Sequence, residues 1–307
     1  MRILIIGCGY VGSALAEQLL ACGAEVYAVR RSTTETPPPS LSKAHWFTVD
    51  ITQKEAVHQL AGAWDAVVNC VSSSRGGVEV YQRVFLEAGR YLREVFSAQP
   101  PRLHIHLSST SVYGQTTGEW VTEDSPTEPN SETGRILVAT ERLWLDASDD
   151  GLPVRILRLA GIYGPGRCYW LNQFLSGSAR LGEGDGRFLN MIHRQDVVQA
   201  ILKVLEQPKA AGARIYNVVD NEPVPLRELY QGLAHLLKRP LPPEAVHETS
   251  APRKRALTNK RVSNRRLKTE LGWAPSYPSW REGFREEIQR LQAAGLLPPL
   301  ETSTSED

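Results

Sequence analysis

The chain opens with a short apolar strand, Arg2-Ile-Leu-Ile-Ile6, that runs straight into Gly7-Cys-Gly9-Tyr10-Val11-Gly12. A strand, a glycine turn and a helix in that order form a seat for the diphosphate of a dinucleotide. Gly7 permits the tight turn, Gly9 leaves room for the diphosphate, and Gly12 lets the helix approach the strand. The helix is expected over Ser13 to Ala21, with its positive end, next to Tyr10 and Val11, facing the phosphates. A second strand, Glu25 to Val29, ends at Arg30-Arg31. Sites for NAD usually place Asp or Glu there, on the adenosine ribose hydroxyls. A guanidinium forks instead onto a phosphate. The expected coenzyme is NADP, with NAD also possible; the alternative is that both arginines are simply solvated.

Composition narrows the partners. Over 307 residues, 35 basic and 34 acidic side chains nearly cancel, so no global field recommends nucleic acid or an anionic membrane. The four cysteines are scattered without metal-ligand spacing, and Cys8, Cys22 and Cys70 fall in segments that read as buried. No metal is expected. The first residues already form a core strand, and no apolar run is long enough to span a bilayer, so a cytoplasmic protein is expected.

Strand and helix patterns alternate through the first half, which predicts an α/β, Rossmann-type doubly wound parallel sheet. Further strands are read at His45 to Val49, Asp65 to Val71, Leu103 to Leu107, Pro153 to Leu159 and Arg214 to Val218. Helices are read near Lys54 to Leu60, Val78 to Ser97, Ile136 to Ala147, Asp196 to Glu206, Leu226 to Leu237 and Ser279 to Leu291. The expected division is a dinucleotide-binding domain over 1–165, with 190–220 returning to it. A smaller C-terminal substrate-binding lobe would take 166–189 and 221–295, and 296–307 would be a disordered tail. Pro240 to Pro252 reads as a linker. In such sheets the ligand lies at the carboxyl ends of the strands. This rule brings Asp50-Ile51, Val71-Ser72, Ser108-Ser109 and Gly161-Ile-Tyr163 to one cleft.

Six segments then carry a resemblance. They are the glycine turn; Asp50-Ile51; Ser108-Ser109-Thr-Ser-Val-Tyr113-Gly114; Arg158 through Tyr163 to Arg167; Asn190-Met-Ile-His193-Arg-Gln-Asp196; and Tyr216 to Asp220. In this order the chain resembles the extended short-chain dehydrogenase/reductases, the NAD(P)-dependent epimerase/dehydratase family. The resemblance implies that Asp50 and Ile51 flank the adenine and that Val71 and Ser72 lie along the diphosphate and ribose, with Ser108 beside the coenzyme. It implies that Ser109 hydrogen-bonds the reacting oxygen of the substrate. Three departures stand out: the glycine turn is one residue short; the family's Tyr-x-x-x-Lys pair is replaced by Thr133 and Leu137; and Glu119-Trp-Val-Thr-Glu123-Asp124 with Gly134-Arg135 looks like an atypical subgroup of the family that has lost the pair. Threonine cannot serve as the acid or base a tyrosine provides.

Tyr113 and His193 are the candidates to take over proton transfer, the alternatives being a packed aromatic that anchors the loop and a structural histidine; Glu132, Arg135 and Glu141 lie nearby on the altered helix. Tyr163 and Arg167 are candidate substrate contacts. The basic cluster Arg253-Lys-Arg255, Lys260-Arg261 and Arg265-Arg266 could receive a nucleotide diphosphate. The leading expectation is an NADP-linked oxidoreductase or an epimerase/dehydratase-like isomerase, on a nucleotide-sugar-like or small carbonyl substrate. The rival is an NADP(H)-binding sensor without chemistry. The resemblance also implies a possible homodimer, paired through the helices near Val78 to Ser97 and Ile136 to Ala147, for which Tyr81, Phe85 and Leu92 could supply an apolar second face.

Overall fold

The computed structural model describes residues 1–32, 38–73, 76–207, 213–245 and 258–297. The first elements are β1 (Arg2–Ile6), α1 (Tyr10–Ala21), β2 (Glu25–Arg30), β3 (His45–Thr48), α2 (Lys54–Val57) and β4 (Ala66–Asn69). Then come α3 (Val78–Tyr81), a π-helical stretch (Gln82–Glu87), α4 (Ala88–Ala98), β5 (His104–Ser109), β6 (Glu119–Val121), α5 (Glu132–Asp149) and β7 (Val154–Leu159). The second half adds β8 (Gly161–Tyr163), α6 (Tyr169–Leu175), β9 (Phe188–Leu189), β10 (Met191–His193), α7 (Arg194–Glu206) and β11 (Arg214–Val218). The last are β12 (Val224–Pro225), α8 (Leu226–Leu237), β13 (Lys260–Val262), α9 (Arg265–Leu271) and α10 (Trp280–Ala293).

Seven strands form one sheet in the order β11-β7-β5-β4-β1-β2-β3, every neighbouring pair parallel. The unbroken apolar runs of β1 and β4 follow from burial on both faces. Ile3 and Ile5 pack into one cluster with Leu15 of α1 and Val197 of α7, whereas Leu4 and Ile6 pack into another with Leu92 of α4 and Trp144 of α5. The strand order reverses between β1 and β4, which opens a crevice at their carboxyl ends. A third cluster, including Leu171, Phe174, Leu233, Trp280 and Phe284, lies within the segments expected to form the lobe and also takes in Tyr163 and Met191.

Several expectations change. α1 begins at Tyr10, inside the glycine motif, so Gly12 lies in its first turn. The helix expected over Val78 to Ser97 is interrupted by the π-helical stretch. Residues around β13 and α9 leave the lobe, because Val262, Leu267, Leu271 and Trp273 join the sheet's first cluster. Leu92, expected on an outer face, is fully buried, whereas Tyr81 and Phe85 are partly buried against that cluster. Cys22, expected buried, is exposed at the end of α1. Arg253 to Arg255, most of the expected linker and nearly all of the tail lie outside the described residues. No helix among the described residues is long and apolar enough to cross a membrane.

Candidate active site

The glycine turn can be tested atom by atom. Gly7 has φ +86°, and a Cβ there would come within 2.9 Å of the Val71 backbone. A Cβ on Gly12 would sit 2.7 Å from the Gly7 carbonyl oxygen. Gly9 has no atom within 4 Å of its Cβ position, so its side of the turn is open. Two glycines therefore close the turn and the middle one leaves space before the N-terminus of α1, where free amides attract anions. Arg30 is fixed beside this space: its Nε donates to the Cys8 carbonyl at 3.2 Å and its guanidinium lies 4.3 Å from the Trp46 ring centre. Among the described residues Arg30 and Arg31 form no ion pair.

The other expected coenzyme residues cluster along the same edge. Asp50 Oδ1 accepts from the Thr52 amide at 3.0 Å and its hydroxyl at 2.8 Å, shaping the turn after β3, with Ile51 buried beside it. Val71 and exposed Ser72 follow β4, where the Val71 amide donates to Asn69 Oδ1 at 3.3 Å. Tyr10 donates to the Pro165 carbonyl at 3.2 Å, and the guanidiniums of Arg167 and Arg194 lie 5.2 Å and 4.6 Å from its ring. This arrangement fits a dinucleotide coenzyme.

Ser109 ends β5, half-buried, and its Oγ accepts from the Ser111 amide at 3.2 Å, which leaves the hydroxyl hydrogen for a ligand oxygen. Other expected site residues turn inward. Ser108, one residue earlier on the strand, faces the opposite side and donates to Glu141 at 2.6 Å in the core. The Tyr113 hydroxyl is buried, donating to Asn217 and accepting from Arg158, each at 2.8 Å, and burial raises its pKa. It anchors the loop. His193 caps α7 through Nδ1, which accepts from the Gln195 amide at 3.3 Å, and its ring lies 3.7 Å from that of Tyr277. Burial lowers its pKa to about 4, so at neutral pH it is an uncharged structural ring. Tyr163 is buried against Phe284 and donates to the Ser279 carbonyl at 3.2 Å, which makes it part of the lobe core. Arg167 remains exposed over Tyr10.

Three charged residues named from the sequence are buried rather than open to a ligand: Arg158, Glu141 and Lys260, the last expected in the diphosphate-binding cluster. Arg158 Nη2 lies 2.7 Å from Glu141 Oε2, with both side chains nearly inaccessible. An arginine inside the apolar run Val154 to Leu159 needs a buried partner, and that was the available signal. Glu141 lies two turns beyond Thr133 on α5, past Leu137. Lys260 is also buried, donating through Nζ to the Tyr113 carbonyl at 2.7 Å and Thr258 Oγ1 at 3.2 Å; burial lowers its pKa to about 8. It ties β13 to the serine loop. His104 and His106 face one side of β5, against Trp144.

A parallel sheet with its strand-order reversal beside an open glycine cradle and a serine loop defines a dinucleotide-dependent protein of the short-chain dehydrogenase/reductase type. Residues 3–218 match the NAD dependent epimerase/dehydratase family, and the chain belongs to it. It is 29% identical over 283 residues to Protein YeeZ of Escherichia coli K12, covering 90% of this chain and 96% of that one. It is 27% identical over 325 residues to the 3-diazoavenalumate denitrifying reductase of a Streptomyces species, covering 94% and 100% respectively. The fold is shared with MoeE5 in complex with UDP-glucose and NAD, at TM-score 0.80, 23% identity and coverage of 96% and 99%.

Proposed function

We propose that this NAD(P)-dependent enzyme is a reductase that prefers NADP and acts on the carbonyl of a sugar-like substrate. The observation that carries the reading is Arg30, fixed beside the open Gly9 cradle where an NAD site would carry a carboxylate. Gly7, Gly9, Gly12 and the start of α1 hold the diphosphate, Asp50 and Ile51 flank the adenine, and Val71 and Ser72 line the ribose. When bound, the coenzyme supplies hydride. Ser109 orients the carbonyl oxygen through its free hydrogen. Two relatives named as reductases support this direction, the denitrifying reductase and the 2'-dehydrokanamycin reductase of Streptomyces kanamyceticus, 25% identical over 264 residues. A nucleotide-linked sugar fits the family, whose members include the UDP-glucose 4-epimerase of Corynebacterium glutamicum, 23% identical over 310 residues.

Calorimetry with NADPH and NADH tests the preference. NADPH should bind more tightly, and Arg30→Ala should narrow the gap by about tenfold, the loss expected for one charge-assisted phosphate contact. Equal affinity in the wild type rejects the preference. Binding of neither rejects the coenzyme site.

A further inference from the structure

Between Gly114 and Asp150 the chain contains neither tyrosine nor lysine, so α5 offers no phenol to the substrate oxygen. Three of the tyrosines considered above have engaged hydroxyls: Tyr10, Tyr113 and Tyr163 donate to Pro165, Asn217 and Ser279 respectively. Tyr81 differs. It is half-buried at the end of α3, its ring 5.0 Å from that of Phe85, and its hydroxyl has no hydrogen-bond partner among the described residues.

Helix register places it. α3, the π-helical stretch and α4 continue one into the next and run beside α5, both leaving the carboxyl edge of the sheet. A Cβ on Gly89 would meet Leu143 at 3.1 Å and Thr140 at 3.8 Å, so Gly89 faces the turn of α5 that runs from Thr140 to Leu143. Seven residues back from Thr140, on the same face of α5, is Thr133, where the family carries its tyrosine. Eight residues back from Gly89 is Tyr81. In a regular α-helix eight residues rotate a side chain about 80° out of line. The π-helical stretch adds about one residue to its turn, which restores the in-line relation of a seven-residue spacing. Tyr81 thus stands to Gly89 as Thr133 stands to Thr140, about 10–12 Å along each helix from the shared level. α3, which ends with Tyr81, itself packs against α5, and the ring is partly buried against the sheet's first apolar cluster.

We propose that Tyr81 is the catalytic acid of this site, its phenol delivered from the neighbouring helix in place of the family's tyrosine on α5. The proposal rests on the coenzyme reading above. In the reduction, the carbonyl carbon gains the hydride and its π electrons move to oxygen. That oxygen, held by Ser109, takes the proton from Tyr81, and the resulting phenolate regains one from water. The carbonyl is reduced and the coenzyme oxidised. The same geometry explains the π-helical stretch, since such stretches re-aim side chains at functional sites.

Two measurements on the full chain test it. A fluorinated tyrosine at position 81 should give a fluorine resonance that moves on saturation with NADPH, while the same label at position 91, on α4, should not respond. Tyr81→Phe should leave NADPH affinity unchanged by calorimetry, because no protein hydrogen bond is lost, and lower turnover by about a hundred- to ten-thousandfold. A position-81 signal that stays still while calorimetry shows saturation overturns the proposal, as does wild-type turnover by Tyr81→Phe. Absence of NADPH binding to the wild type defeats the coenzyme reading itself, and this assignment with it.

Discussion

Arg158 joins the sheet core to the serine loop. Its Nε and Nη2 grip Glu141, its Nη1 reaches the Tyr113 hydroxyl at 2.8 Å, and Ser108 completes the Glu141 shell. A buried charge left without its partner is far costlier than the pair is favourable. Glu141→Ala should therefore destabilise the protein by about 3–5 kcal/mol in urea unfolding, whereas the double change Glu141→Leu with Arg158→Met should recover most of that loss. A single variant as stable as wild type would mean that water reaches this pair. The network also explains why Tyr113 is unsuited to catalysis. A hydroxyl that both donates and accepts within the core has no hydrogen for a ligand. The sequence left open whether Tyr113 serves the cleft or anchors its loop, because the orientation of the ring depends on Arg158 and Asn217, 45 and 104 residues away in the chain.

Among the helices, α10 shows how local chemistry and packing reinforce each other. Ser279 accepts from the Arg281 amide at 3.1 Å, while Glu282 accepts from the Ser279 amide at 2.9 Å, a reciprocal capping box. The helix then buries Trp280, Phe284 and Ile288 in the lobe core. Ser279→Ala should lower stability by about 1 kcal/mol, read as a reduced urea midpoint with unchanged slope. This cap was legible from sequence because it needs only neighbouring residues. The start of α1 was not, since Gly12 inside a helix is disfavoured by propensity and is retained for its contact with Gly7. The π-helical stretch also escaped detection: an apolar period near 3.6 does not reveal one extra residue.

Across the whole molecule, the Rossmann-type parallel sheet was legible because glycine, strand and helix signals repeat locally along the chain. The interior balance of charge was not, because it arises where distant segments meet. Burial lowers the pKa of His193 to about 4 and of His106 to about 3, and holds His104 well below its ordinary value. The ring nitrogens of His104 and His106 have no hydrogen-bond partner among the described residues. Burial acts oppositely on carboxylates, raising Asp196 to about 6 and Asp220 well above its usual range. The signs can be followed separately. As pH falls from the unfolded histidine value near ~6.5, the unfolded chain binds protons at the three histidines that the native state refuses, so stability falls. Over about pH 4 to 6 the native carboxylates keep protons that the unfolded chain has released, so their contribution rises as pH falls. The two sets oppose each other, and the wild type should show only a shallow pH dependence there. Removing two histidines exposes the imbalance. The variant His104→Phe with His106→Leu should gain on the wild type as pH drops from about 6.5 towards 4, by about 1 kcal/mol per pH unit for each histidine removed. Urea unfolding of both proteins across that interval measures the difference directly. Parallel curves would mean that these rings are protonated and solvated in the native state, against their burial between β5 and Trp144.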